Sequence, residues 1–277
     1  CRRDSFHPFN QARNKMNRSP VLIILFALLS SAKSEPYYAI HDCPNTATYP
    51  PNGTYASHLR SLLATLSSPP TNYFNAASTL TGEKIQALYQ CRIDVSLNEC
   101  RACVYNATAV VLQKCPIEKT GVIWYDKCVL RFSNETIVSV LSTSPTWYLL
   151  NANNVPEFER ALFAGFVRND LNDCINEASN SPSKFAVRER NTNFILSITD
   201  RIYSLVQCTA DLSNSDCNQC LRDALGNFPS CCTSAVGARV LMPSCSFRFE
   251  IYPFYNVSGI APTSVHPSIS SATGNPN

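Results

Sequence analysis

Glycine, histidine and long apolar runs are scarce in this sequence. Its 277 residues include 8 glycines, 4 histidines, 2 methionines and 2 tryptophans. No phosphate-cradling glycine loop, G-x-S-x-G or H-E-x-x-H motif is present. His41-Asp42 is an isolated dyad that reads as a strand edge, and Glu157 and Glu159, at a helix start, read as solvated carboxylates. These absences argue against an enzyme and against a bound cofactor. No apolar run reaches 18 residues, so no segment is long enough to span a bilayer.

Charge is also thin, at 16% of residues with a net of +3. Six of the 23 basic residues (Arg2, Arg3, Arg13, Lys15, Arg18 and Lys33) precede Glu35, against the single acid Asp4. Without that stretch, 17 basic residues face 19 acidic ones, a net of −2. A body of that charge has no general attraction for phosphate backbones or anionic lipid, which excludes nucleic acid as an expected partner.

Cysteine, by contrast, is plentiful: 14 residues, too many for a reduced compartment. An oxidising destination agrees with residues 16–34, where Arg18, the apolar run Val21–Leu29 and the small residues Ser30–Ala32 follow in the order of a secretory signal peptide. Cleavage is expected before Glu35. Residues 1–15 read as upstream or fragment sequence. The Ser/Thr/Pro-rich stretch 259–277 has too little apolar surface to offset chain entropy and reads as a disordered tail. Four N-x-S/T sequons, at Asn52, Asn106, Asn134 and Asn256, are candidate glycan sites.

Subtracting cysteine positions exposes a duplication. Cys91, Cys100, Cys103, Cys115 and Cys128 recur as Cys208, Cys217, Cys220, Cys232 and Cys245, each 117 residues later. Leu88/Leu205, Gln90/Gln207, Asp94/Asp211, Ser96/Ser213, Arg131/Arg248 and Phe132/Phe249 share that register. Two copies of one domain follow, over 35–141 and 145–258, split near Ser142–Pro145. Ser96 and Ser213, each with an acid three residues on, predict helices over about 97–113 and 214–226. Earlier helices are expected over His58–Leu66 and Phe158–Glu177. Strands are expected over Gly121–Tyr125, Cys128–Phe132, Ala238–Leu241 and Cys245–Tyr252. In the last of these, Cys245, Phe247, Phe249 and Ile251 alternate with Ser246, Arg248, Glu250 and Tyr252. Period two implies one buried and one wet face, hence an antiparallel sheet with helices on one side: α+β, twice. Trp124 and Trp147 read as core or domain-contact residues.

The C-x8-C-x2-C spacing at Cys91-Cys100-Cys103 and Cys208-Cys217-Cys220 resembles the plant ginkbilobin-like, or stress-antifungal, domain. Two such domains behind a signal peptide resemble the cysteine-rich repeat secretory proteins and the ectodomains of cysteine-rich receptor-like kinases. VQCTADLSNSDCNQC (206–220) and GARVLMPSCSFRFEIYPFYN (237–256) carry that likeness. It implies, per domain, two helices on a five-stranded antiparallel sheet with disulfides. The implied bonds are Cys91–Cys100, Cys103–Cys128 and Cys43–Cys115, then Cys208–Cys217 and Cys220–Cys245. From the residues alone, zinc or dithiol chemistry competes with such a disulfide frame, which the secretory context favours. In the second copy the place of Cys43 falls near Leu150, so Cys232 lacks that partner. A strained Cys231–Cys232 pair or two free thiols is expected ahead of a bond from Cys174 to either. With 13 cysteines after the leader, at least one is unpaired in a monomer.

The resemblance also implies a sugar site. In the ginkbilobin type, mannose is held by an Asn after the first cysteine, an Arg six residues before the last and a Glu five after it. Arg239 and Glu250 match, and Asn151, following the Leu150 position, completes the set. An Arg fork, a carboxylate and an amide suit paired hydroxyls, and the alternation puts Glu250 on the wet face. The competing reading is a surface ion pair, worth about 0–1 kcal/mol. The first copy has Val122, Ser133 and Pro44 at those places, and reads as scaffold or contact surface. Two functions are therefore expected: a secreted, apoplastic mannose-type glycan binder of plant stress or defence, or a module pairing with cell-surface proteins, as in a receptor-kinase ectodomain. Under the first, Glu250→Gln abolishes mannose binding without changing thermal stability.

Overall fold

The computed structural model describes residues 2–3, 36–80, 82–192 and 196–256. The expected signal peptide (16–34) and tail (259–277) lie outside the described residues. The first copy runs β1 (Tyr38–Asp42), α1 (Thr54–Leu66), β2 (Tyr73–Leu80), β3 (Glu83–Cys91), α2 (Leu97–Lys114), β4 (Gly121–Tyr125) and β5 (Cys128–Ser133). The second runs β6 (Trp147–Leu150), a short 3-10 turn (Glu157–Glu159), α3 (Arg160–Asn180), β7 (Phe185–Asn191), β8 (Arg201–Cys208), α4 (Asn214–Gly226), the one-turn α5 (Phe228–Cys231), β9 (Ala238–Leu241) and β10 (Cys245–Glu250). Each copy forms a five-stranded antiparallel sheet, in the matching orders β1-β4-β5-β3-β2 and β6-β9-β10-β8-β7. The two-residue segment Arg2–Arg3 adds a parallel pairing to the β6 edge. His41-Asp42 does lie on an edge strand.

Local chemistry sets the helix starts. Glu99 N–H donates to the Ser96 hydroxyl at 3.3 Å and Ser96 N–H donates to the Glu99 carboxylate at 2.9 Å, closing a capping box. In the second copy Asp216 N–H donates to the Ser213 hydroxyl at 3.1 Å. Such caps contribute about 1 kcal/mol each. The helices of each copy bury their apolar stripes against one face of its sheet. Leu59, Leu63, Val104 and Val111 meet Ile85, Tyr89 and Phe132; Phe163, Val167 and Leu221 meet Val206, Phe247 and Phe249.

Disulfides staple these layers. Cys91–Cys100 and Cys103–Cys128 tie α2 to β3 and β5, and Cys208–Cys217 and Cys220–Cys245 tie α4 to β8 and β10. Cys43–Cys115 closes a further loop in the first copy only. In the second, Cys232 bonds its neighbour Cys231. Strand register explains why. Asp42 pairs with Val122, and Leu149 pairs with Arg239, the counterpart of Val122, so Leu150 stands where the first copy has Cys43. Cys174 is a buried free thiol, which burial pushes up to about 12, far from reactive thiolate chemistry.

The sheet faces opposite the helices are not wet. Ile40, Val122 and Trp124 of the first sheet pack against Leu241 of the second, with Trp147 and Leu149 alongside. The expected solvated face of β10 is thus wrong: Ser246 and Arg248 are half-buried and Glu250 is buried. Period two distinguishes two faces but cannot distinguish water from a second domain. Glu159 is likewise buried rather than solvated, accepting from Ser197 N–H at 3.0 Å. The last strand also ends at Glu250, two residues before Tyr252.

The polar part of this junction is reciprocal. Ala210 N–H donates to Gln90 Oε1 at 3.0 Å, and Ile93 N–H donates to Gln207 Oε1 at 3.3 Å. Asn256 N–H donates to Asp94 at 3.1 Å, and Ser139 N–H donates to Asp211 at 2.6 Å. In both exchanges, donors and acceptors are each related by the 117-residue register. A pseudo-twofold relation therefore joins the copies, and it gives Gln90/Gln207 and Asp94/Asp211 their reason to recur.

Candidate functional site at the domain junction

The second copy gathers two arginines, a glutamate and an asparagine into one cluster on its junction face. Arg239 on β9 and Arg248 on β10 are directly opposed in register. Asn151 leaves β6 with its N–H donating to Gly237 O at 2.9 Å, which carries its amide to the end of β10. There Asn151 Nδ2 donates to Glu250 Oε2 at 3.2 Å. Arg248 occupies the other oxygen, donating from Nε and Nη2 to Oε1 at 3.0 and 2.8 Å. The same Nη2 donates to Tyr252 Oη at 3.1 Å.

Gly237 makes room for this arrangement. A Cβ there would lie 1.9 Å from Glu250 Oε2, an impossible approach. The first copy solves the same position with different volumes. Thr120 and Ser133 replace Gly237 and Glu250, and their hydroxyls meet at 2.9 Å. A large acid goes with glycine, and a small hydroxyl goes with threonine.

The three expected site residues therefore converge, in an environment other than the one expected. Asn151 and Glu250 are in contact, and Arg239 lies on the same face, close enough to feel the Glu250 charge. Glu250 is 4% exposed and Arg239 9% exposed, so neither an open ligand surface nor a surface ion pair describes them. Burial holds the Arg239 guanidinium down to about 10, with Arg248 pushing the same way and Asp126 and Glu250 opposing. Arg248, the residue that engages Glu250, was visible in the sequence as the recurring partner of Arg131 and as a neighbour of Glu250 on one face of the alternating strand. Its signal was the cross-strand register with Arg239. Arg131 has no acid at the Ser133 position and donates across the junction instead, to Pro243 O and Ser244 Oγ, both at 3.2 Å.

A cleft opens beside this cluster, lined by Arg92, Arg239, Arg248, Asp126, Trp124 and Phe254 among others. Arg92 is held by Asp94 at 2.9 and 2.5 Å and donates to Phe254 O at 3.1 Å. The Phe254 ring lies between two guanidiniums, 4.1 Å from Arg248 and 5.8 Å from Arg92. Trp124 Nε1–H donates to Met242 O at 3.4 Å, so it is a domain-contact residue. Among the described residues no three His, Cys, Asp or Glu side chains converge as metal ligands. Both cysteines of each C-x2-C pair are bonded elsewhere, so neither pair is a dithiol in this structure. Of the sequon residues, Asn52 and Asn256 are exposed, while Asn106 on α2 and Asn134 after β5 are half-buried.

A family model described as salt stress response/antifungal matches residues 42–135 and 156–252, one match per copy. The chain belongs to this stress-antifungal family. Among its relatives in Arabidopsis thaliana, cysteine-rich receptor-like protein kinase 25 is 41% identical over 260 residues, covering 92% of this chain and 38% of the relative. Putative cysteine-rich receptor-like protein kinase 9 is 33% identical over 237 residues, covering 83% of this chain and 87% of the relative. The chain thus spans well under half of the kinase 25 sequence. Two solved tandem DUF26 ectodomains share the stress-antifungal fold in its duplicated form. That of the cysteine-rich receptor-like protein PDLP8 has a TM-score of 0.63 at 22% identity, covering 80% of this chain and all of that one. That of PDLP5 has a TM-score of 0.59 at 24% identity, covering 78% and 100%. The two matched regions take the fold of those two tandem ectodomains. No helix among the described residues is long and apolar enough to cross a membrane.

Proposed function

We propose that this chain is an extracellular, non-enzymatic recognition module, the ligand-facing part of a cysteine-rich receptor-like protein of plant stress or defence signalling. The carrying observation is the coverage: 92% of this chain corresponds to 38% of a receptor-like kinase, in a duplicated disulfide frame with no metal cluster among its described residues. Partners are then proteins at the cell surface. The full-length transcript tests this. An apolar stretch of about 20 residues downstream of Asn277, followed by a kinase, supports a receptor. A stop codon directly after Asn277 contradicts it.

A second reading, recognition of a neutral mannose-type glycan through Asn151, Arg239 and Glu250, is favoured by the contact between Asn151 and Glu250 at 3.2 Å. Sugar hydroxyls would have to displace Asn151 or Arg248 from the carboxylate. Glu250→Gln would therefore lower stability as well as binding, by about 1–3 kcal/mol, because a buried charged acceptor is lost. A glycan array with that variant decides it: mannose retention by Glu250→Gln removes this reading and leaves the first intact.

A further inference from the structure

The first copy carries an open groove of about 1220 Å³ along α2, whose lining shares no residue with the junction cleft. That exceeds the roughly 300–1,000 Å³ of clefts that hold drug-sized ligands. One wall is a stripe of α2, Asn98, Ala102, Tyr105 and Asn106, whose spacing of i, i+4, i+7 and i+8 shares a helix face. The other wall includes Pro69 and Pro70 of the α1–β2 loop, held to α2 where Arg101 Nε donates to Pro69 O at 3.1 Å. Tyr105 is 63% exposed, which leaves an aromatic face open beside Asn106. The second copy closes the matching seam from within. Arg222, the counterpart of Tyr105, donates to Asn172 and Asn176 of α3, both at 2.7 Å. Asp223, the counterpart of Asn106, accepts from Gln219 at 2.7 Å. The first copy has instead an open tyrosine and an Asn-Ala-Thr sequon at 106–108.

We propose that an N-glycan on Asn106 fills this groove with its first sugar packed on the Tyr105 ring, which makes the face a glycan seat and not a partner surface. A sugar ring presents C–H groups on one face, and an exposed tyrosine offers an apolar body with a wet polar tip. Attachment costs α2 no bond. Asn106 Nδ2 donates to Ala102 O at 3.0 Å, and glycosylation removes only the other of its two hydrogens. In the transfer Nδ2 bonds C1 of the sugar, the C1–O bond to the diphosphate of a lipid-linked donor breaks, and one Nδ2 proton is released. Thr108 is 7% exposed, so the sequon is read before α2 packs. Because N-glycans are added on the secretory route, the modification rests on the extracellular reading above.

Peptide mass mapping of the full chain expressed in plant cells tests the attachment, and ring iodination of the folded protein tests the seat. Sugar is expected on Asn106, and also on the exposed Asn52, which reports passage through the secretory route. Iodination of Tyr105 should be about fivefold lower in the glycosylated chain than in Asn106→Gln. Tyr252, 38% exposed, should label equally in both. Should Asn106→Gln fail to fold, enzymatic removal of glycans from the native protein gives the same comparison at Tyr105. Sugar on Asn52 with Asn106 bare overturns the proposal and leaves the extracellular reading standing. Sugar on neither overturns the proposal and counts against that reading too. A glycan on Asn106 with Tyr105 labelling unchanged also overturns it, since the groove is then open to a partner.

Discussion

The two copies share one fold and spend their side chains differently. In the first, Val122, Thr120 and Ser133 put no charge at three matched junction places, and Cys43–Cys115 closes a loop with a sequence separation of 72. In the second, the same places hold Arg239, Gly237 and Glu250, and the corresponding disulfide has contracted to the vicinal Cys231–Cys232. The difference teaches that the frame and the charged cluster are separable. One copy keeps an extra covalent tie, and the other carries buried, mutually dependent ionised groups.

The largest expected effect comes from breaking the covalent difference. Replacing Cys43 and Cys115 by alanine should cost about 4 kcal/mol, since the bond restricts a long loop of the unfolded chain. Replacing Cys231 and Cys232 removes a bond with a sequence separation of 1 and should cost about 1 kcal/mol or less by the same reasoning. Chemical denaturation of the two double variants compares them, and equal losses would contradict the asymmetry.

Next comes the volume exchange. Gly237→Thr should destabilise by about 2–4 kcal/mol, because its Cβ meets the Glu250 carboxylate. Adding Glu250→Ser imports the first copy's solution and should recover about 1–2 kcal/mol of that loss, even with Arg248 left without its acid. Denaturation midpoints read this coupling, and strict additivity would show that the pair does not act as a unit.

The junction supplies a test of likeness. Gln90→Ala and Gln207→Ala each leave a backbone N–H of the other copy without its acceptor, Ala210 and Ile93 respectively. Each should cost about 1–3 kcal/mol, and the two costs should be similar. A large cost from only one would break the pseudo-twofold relation.

The smallest effect concerns pH. Lys127, 2.7 Å away, and the Ser96 N–H hold the Glu99 carboxyl down to about 2. A depressed carboxyl stabilises the fold fully above its ordinary value of 4.5 and loses that contribution as pH falls towards 2. The pair is well exposed, so screening reduces the effect to a few tenths of a kcal/mol. The second copy has Ser244 where the first has Lys127. Glu99→Gln should therefore flatten the acid limb of a stability–pH curve slightly, and an unchanged limb would contradict the assignment.

Much of this was legible in the residues because it is local. Cysteine register, serine caps and the two helix starts are written in short spacings, and the observed α4 spans the expected 214–226. The covered face was not legible. Alternation along β10 reports two environments, and only the arrival of the first sheet tells which environment surrounds Glu250. The role of Gly237 was hidden for a similar reason. The scarcity of glycine spoke only against a phosphate-cradling loop, whereas the need for Gly237 arises from a carboxylate thirteen positions away in sequence. The recurrence of Gln90 and Gln207 was visible while its purpose was not, since each serves the opposite copy.

That reciprocity makes the two copies one unit and places the charged cluster inside it. Native-state hydrogen exchange at the Ile93 and Ala210 amides tests it most directly. The expected result is slow exchange at both, of similar size, with Gln207→Ala releasing Ile93 and Gln90→Ala releasing Ala210. Fast exchange at either amide in the unaltered protein would contradict the joined unit.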